Sequence, residues 1–373
     1  MQKLIKMYAK RLRGIELSRI RKMFDIQGKD IINLGIGEPD FNIPENAKDA
    51  IVDALEEGFT HYTPNNGIEE LREAIAKKLK VENKIKRSPD EIIVTVGASE
   101  ALYMCTQALI DKGEEVLIPD PGFLSYNACV KLAEGKPIPI PLEKKDFRTK
   151  PETIESLITK KTKAIILNSP SNPTGAVMEK DDIKAIAELA EEKNLIIISD
   201  EVYEKIIYEK KHYSPGQFTE NAIIINGFSK TYAMTGLRIG YVTGQHEIIE
   251  ELLKVHQYNT ACAPSISQAA ALAALKGSQK VVDSMVAEFK RRRDLMFNRL
   301  KKMGMECNKP AGAFYMFPYV KDEKSFTENA LKEGVVVVPG SAFGSNGKDH
   351  VRFSYATSYD KIKEAMDRIE KIW

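Results

Sequence analysis

Gly227-Phe228-Ser229-Lys230-Thr231-Tyr232-Ala233-Met234-Thr235-Gly236-Leu237-Arg238-Ile239-Gly240-Tyr241 comes just after Ala222-Ile223-Ile224-Ile225, an apolar run with the composition of a buried strand. Three glycines, an amine, hydroxyls and an arginine therefore crowd into one turn-rich stretch beyond a strand end. Taken alone, Lys230 is one lysine among many, and a solvated surface charge is the bland reading. The stretch gains meaning from its setting. In sheets whose strands are joined by helices, ligands bind beyond the carboxyl ends of the strands.

Other segments supply that setting. Candidate strands are Glu91–Val96, Glu115–Ile118, Ala164–Leu167 and Leu195–Ser199, and helical patterns such as Asp181–Ala190 lie between several of them. Nearly continuous apolar strands separated by helices predict an α/β fold with a mostly parallel sheet covered on both faces. A long helix is expected to start near Lys276 and run through Arg291-Arg292-Arg293, a basic triplet that reads as a solvated face. Beyond it, Gly312–Phe317, Val335–Val338 and His350–Ser354 predict the strands of a smaller α+β domain. The expected division is an N-terminal arm with part of the small domain (1–43), a large domain (44–275) and a C-terminal small domain (276–373).

Composition narrows the function. The chain has 373 residues, long enough for a large core and two domains. Lys+Arg number 55 against 53 Asp+Glu, a balance that argues against a broad nucleic-acid face. No apolar run approaches the roughly 20 residues of a membrane span. The first ten residues lack the apolar region of a signal peptide, and the segment through Arg21-Lys22-Met23-Phe24 reads as a basic amphipathic helix. A mitochondrial transit peptide is the alternative; Glu16 counts against it, and a cytoplasmic location is the expectation. Cys105, Cys129, Cys262 and Cys307 are far apart and predict reduced, mostly buried thiols. The five histidines form no His-Glu-x-x-His pattern, so no catalytic metal is expected.

Residues after each strand suggest a site. Gly97-Ala98-Ser99 opens a helix after Val96, and its amides with the Ser99 hydroxyl can cradle an anion. Asn168-Ser169-Pro170-Ser171-Asn172-Pro173-Thr174-Gly175 makes a turn whose asparagines can face a cleft. Asp200 sits at the end of the next strand, before Glu201-Val202-Tyr203, where a buried carboxylate needs a cationic partner. That partner is either a protonated pyridine nitrogen or an arginine. A phosphate held by Ser229 and Arg238 beside an imine-forming Lys230 is what pyridoxal 5′-phosphate (PLP) requires.

In order along the chain, Asn33–Phe41, His61–Pro64, Gly97–Leu102, Asn172–Gly175, Asp200–Tyr203, Ser229–Arg238 and Arg352–Ser354 resemble the class I aminotransferases of PLP fold type I over nearly the whole length. The likeness is to the branch with aspartate and aromatic aminotransferases. It implies a mostly parallel seven-stranded sheet in the large domain. It also implies that Lys230 forms the imine and moves a proton, Asp200 keeps the pyridine nitrogen protonated, and Tyr203 with Asn172 holds the phenolic oxygen. Phe123 would stack on the ring. Gly97, Ala98, Ser99, Ser229 and Arg238 would hold the phosphate, joined by Tyr62 from the partner of a homodimer. Arg352 would bind the substrate α-carboxylate, with Gly37 close to the substrate and Phe123 and Asn172 beside it. Phe123 departs from the tryptophan or tyrosine of many relatives, which leaves side-chain preference open.

The expected activity is transfer of the amino group of an L-amino acid, aspartate first, to 2-oxoglutarate. Aromatic amino acids follow, then alanine or kynurenine. A PLP-dependent lyase would use the same Lys230 and Asp200. A regulator would need an added DNA-binding unit, for which no segment is found before Gly35.

Overall fold

The computed structural model describes residues 9–15, 17, 26, 28–143 and 145–373. The amphipathic helix expected through Arg21–Phe24 lies outside the described residues. The described strands, in chain order, are β1 (Ile32–Asn33), β2 (Ile92–Thr95), β3 (Glu115–Asp120), β4 (Lys136–Pro141), β5 (Thr162–Asn168), β6 (Ile196–Asp200), β7 (Ala222–Gly227), β8 (Gly240–Thr243), β9 (Tyr315–Met316), β10 (Val335–Val336), β11 (Val338–Pro339) and β12 (Val351–Ser354).

Seven of them form one sheet in the order β2-β8-β7-β6-β5-β3-β4. The pairs among β4, β3, β5, β6 and β7 are parallel, whereas β8 runs antiparallel to both β7 and β2. This is the mostly parallel seven-stranded sheet that the sequence leads one to expect. Side chains alternate across it. Leu117, Ile165, Leu167, Ile197 and Ile224 pack into one core, and Val116, Ile118, Ile166, Ile198, Ile223 and Ile225 into the core on the other face. Period-two alternation with both faces apolar is why these runs read as unbroken hydrophobic segments. Each such side chain stabilises the sheet by about 1.5–3 kcal/mol relative to exposure.

Two strands of this sheet were not expected. β4 is Lys-Pro-Ile-Pro-Ile-Pro, and its prolines argue against a strand until its place at the sheet edge is known. There it pairs only with β3, and alternate residues need no amide hydrogen for a second neighbour. β8 lies inside the glycine-rich stretch and closes back onto β7, pairing Gly227 with Gly240.

A separate core joins β1, β9, β10, β12 and two helices, Lys280–Lys302 and Tyr359–Ile369, here α1 and α2. Three sequence expectations change here. The helix expected to start near Lys276 is α1, which starts at Lys280, because Lys276 ends a separate helix, Ser265–Lys276, and Gly277-Ser278-Gln279 separates the two. The single strand expected over 335–338 is β10 and β11, which pair with β1 and β12 respectively. The strand over 312–317 shortens to β9, because Ala313 adopts a left-handed φ of 55°.

The basic triplet is also corrected. Arg291 is solvated, but Arg292 and Arg293 are buried. They fall on the stripe Val282, Met285, Phe289, Met296, Leu300 that α1 turns inward, and carboxylates accompany them: Asp40 and Glu288 for Arg292, Glu209 and Asp294 for Arg293. Among the described residues no helix is long and apolar enough to cross a membrane. All four cysteines are unpaired; Cys105 alone is buried and the other three are half-buried.

Candidate active site

Register brings the pieces together. β5 and β6 pair Asn168 with Asp200, so the two strands end side by side, and β7 ends alongside at Gly227. A cavity of about 500 Å³ opens beyond these ends. Gly37, Ala98, Ser99, Phe123, Asn172, Asp200, Tyr203, Ser229, Lys230, Arg238 and Arg352 all line it. Seven separated segments supply these residues. The volume suits an ordinary small-molecule site.

Lys230 sits in a four-residue helical turn, Phe228–Thr231, immediately after β7. Its Nζ donates to the Gly37 carbonyl at 2.6 Å and forms no ion pair among the described residues. Burial pushes this amine down to about 8, against a smaller upward pull from Glu38. Asp200 faces the same space. Burial raises its carboxyl to about 6, although the Tyr126 hydroxyl donates to Oδ2 at 2.7 Å and opposes the rise. No arginine salt bridge to Asp200 exists among the described residues, which removes that alternative.

Arg352, on β12, is 1% exposed. Nη1 donates to Asn172 Oδ1 at 2.9 Å and Nη2 to the Gly35 carbonyl at 2.6 Å, while the buried Nε has no partner. Burial pulls its pKa down, and no carboxylate among the described residues pairs with it. A buried cation held only by neutral oxygens is an incomplete arrangement that an anionic ligand completes.

Arg238 also lines the cavity and takes a left-handed φ of 51°. Its Nη1 donates to the Thr235 carbonyl at 3.0 Å. Gly97 is not a lining residue but stands behind this guanidinium. It has φ +73°, and a Cβ there would come within 2.8 Å of Arg238 Nη2. Ala98 and Ser99 follow it in the first turn of the helix Gly97–Leu109, whose opening amides point along the helix axis.

One candidate stands apart. Tyr62 is 88% exposed and lies outside the cavity of its own chain. Asn168, in the turn whose asparagines were expected to face a cleft, donates to the Asp200 carbonyl at 3.0 Å and accepts from the Asn172 amide at 2.8 Å. Other lining residues escaped the sequence reading. Tyr126 sits one helical turn after Phe123. Glu38 accepts from the Thr235 hydroxyl at 3.0 Å. Tyr315 carried no local signal at all, being read as a strand residue.

Known proteins resemble this chain in sequence and in fold. The sequence matches aminotransferase class I and II over residues 29–369. The chain belongs to that family. It is 54% identical to a Methanocaldococcus jannaschii protein named "Probable aspartate aminotransferase", over 98% of this chain and 100% of the relative. Identity to "Aromatic-amino-acid aminotransferase 2" of Thermococcus litoralis is 47%, covering 97% of each. The aspartate aminotransferase of Thermus thermophilus, solved with maleate, superposes with a TM-score of 0.94 at 38% identity, over 98% of this chain and 99% of that one.

Within this aminotransferase-family chain a second polar cluster lies behind Asp200. Glu201, Glu204 and His212 bring their ligand atoms within 4.8 Å of one another. The carboxylates are engaged: Glu201 takes Ser199 and Ser214 as well as His212 Nε2, and Glu204 takes Lys78 and Asn83, while the buried His212 Nδ1 has no partner among the described residues. The cluster reads as a hydrogen-bonded brace under the Asp200–Glu204 turn.

Proposed function

We propose that the chain is a PLP-dependent aminotransferase that takes the amino group of L-aspartate and passes it to 2-oxoglutarate. The observation that carries this reading is the pair of carboxylate-free cations, half-buried Lys230 and buried Arg352, opening into one cavity with Asp200. The named relatives favour aspartate as donor. An aromatic donor is the second reading, supported by the Thermococcus litoralis relative and by Phe123, Leu102 and Leu124 in the cavity wall.

The donor set fits the cofactor. Arg238, Ser229 and the Gly97-Ala98-Ser99 turn would hold its phosphate, Tyr203 and Asn172 its phenolic oxygen, Asp200 its ring nitrogen, and Phe123 one ring face. When bound, PLP supplies an aldehyde for covalent attachment and a ring that accepts electron density from the substrate Cα. With an amine near 8, Lys230 has roughly a tenth of its Nζ unprotonated at pH 7, against well under a thousandth for an ordinary lysine. That free amine attacks a carbonyl, and Nζ afterwards accepts and returns the substrate proton. The Asp200 carboxylate, anionic above about pH 6, would keep the ring nitrogen protonated. Arg352 would grip the α-carboxylate in two bonds and orient the Cα–H bond. Gly37 would leave space for the substrate beside Lys230.

The reading includes a homodimer in which Tyr62 reaches the partner's phosphate site, cytoplasmic operation, and a division into large and small domains near residues 43 and 275. The test is a donor screen of the common amino acids against 2-oxoglutarate with reconstituted protein, together with borohydride labelling to map the attached lysine. Ammonia release without amine transfer would favour a lyase. Label on a lysine other than 230 would end the proposal.

A further inference from the structure

We infer that Tyr315 is a positioning residue of the reaction, joining the group that would meet the cofactor's phenolic oxygen to the arginine that would hold the substrate carboxylate. This inference rests on the aminotransferase reading above.

Tyr315 is 1% exposed, yet it lines the cavity. Its hydroxyl lies 2.7 Å from the Tyr203 hydroxyl, and neither oxygen has another protein hydrogen bond among the described residues. Two hydroxyls carry two hydrogens, and one of these makes the bond between them. The other has no protein acceptor. If Tyr315 donates to Tyr203, the free hydrogen belongs to Tyr203 and points to whatever oxygen occupies the cavity beside it.

Packing fixes that geometry from two sides. A Cβ at residue 37 would come within 2.6 Å of the Tyr315 oxygen, so glycine at 37 gives the hydroxyl its place. The rings of Tyr203 and Tyr315 meet edge to face, with centroids 5.7 Å apart. On the other side, the Arg352 guanidinium lies 4.4 Å from the Tyr315 ring centroid, within range of a cation–π contact, and also bonds Asn172. One side chain thus touches Tyr203 with its hydroxyl and Arg352 with its ring. The bland alternative, a core tyrosine that buries its hydroxyl wherever a partner is found, predicts an effect on stability alone.

The two contacts can be separated by substitution. Tyr315→Phe removes the hydroxyl and keeps the ring; Tyr315→Leu removes both. Both variants and the wild type are reconstituted with PLP. The measurements are the pH midpoint of the bound cofactor's visible absorbance, cofactor retention on dialysis, melting temperature, and kcat and KM for the amino acid.

Tyr203 relieved of its donor is a weaker donor to an anionic oxygen, which then keeps its associated proton to higher pH. Tyr315→Phe is therefore expected to raise the midpoint by about half a pH unit. It should lower kcat about 5-fold, the scale of one neutral hydrogen bond, with KM unchanged. Tyr315→Leu should add an increase in KM of about 3- to 10-fold, the scale of a buried cation–π contact. In a Tyr203→Phe background the Tyr315→Phe change should no longer move the midpoint. This comparison holds even if the leucine variant does not fold.

A wild-type midpoint and kcat in Tyr315→Phe, with only the melting temperature altered, would overturn the inference. So would an undiminished shift in the Tyr203→Phe background. A wild type that takes up no cofactor would instead sink the function reading itself.

Discussion

Two fully buried arginines, Arg293 and Arg352, show how this molecule separates structure from function. Arg293 is 0% exposed and bound to Glu209, Asp294 and the Pro310 carbonyl. Its hydrogen bonds hold the Glu209 carboxyl at about 2, well below the usual range. Arg352 is equally buried, meets only neutral oxygens and aromatic faces, and keeps an unpartnered Nε. The same contrast separates two lysines. Lys78 pairs with Glu204; burial pushes that carboxyl up, but Lys78, His212 and Asn83 together more than offset it and leave it at about 2. Lys230 has a carbonyl and no carboxylate partner, and its pKa falls to about 8. Charge that is satisfied internally braces the fold. Charge left unsatisfied costs stability and is available to a ligand.

The sharpest way to break this contrast is Lys230→Ala. Transamination should fall by about 10⁴-fold or more, with the visible colour of the reconstituted protein lost. The melting temperature of the cofactor-free chain should hold or rise, because a half-buried amine without a carboxylate partner is gone. Retained turnover would remove Lys230 from the chemistry.

Arg352→Leu should lower kcat/KM about 10²- to 10³-fold, the scale of two charge-assisted hydrogen bonds, again without loss of stability in the cofactor-free chain. Steady-state kinetics beside a denaturation curve reads both. An unchanged specificity constant would place Arg352 with the structural charges.

Arg293→Met is the reverse experiment. Stability should drop by about 2–3 kcal/mol, below the full loss for a buried pair because the Glu209 and Asp294 side chains stay 50% and 37% exposed and rehydrate. KM for the amino acid should not move. A raised KM with unchanged stability would invert the comparison.

The smallest effect is a pH dependence. Only unprotonated Lys230 attacks an aldehyde, so the rate of PLP uptake by the cofactor-free chain should rise with pH and level off above about 8. Between pH 7 and the plateau the gain is roughly tenfold. A rate still climbing near pH 10 would show an ordinary, solvated lysine.

Much of the site was legible because it lies just after strands. Asp200 ends β6 and Lys230 closely follows β7, and an apolar run fixes where each strand stops to within a residue or two. Sites built across the sequence were not legible. Tyr315 looks like any aromatic in a short strand, and its contact with Tyr203 spans 112 positions. The triplet Arg291-Arg292-Arg293 reads as one solvated patch, because composition does not say that two of the three face inward or that Glu209 waits 84 positions away. β4 was hidden by its own prolines, which are acceptable only at an edge.

Local chemistry in the sequence determined the α/β architecture, the strand ends and the side chains proposed to meet a phosphate, an aldehyde and a carboxylate. Burial and pairing belong to the tertiary structure. It decided which cations have carboxylates beside them, and therefore which amine is driven down toward neutrality and which guanidinium is left incomplete. The physical reason is that desolvation and Coulomb attraction depend on distances in space, and residues far apart along the chain set those distances only when it folds.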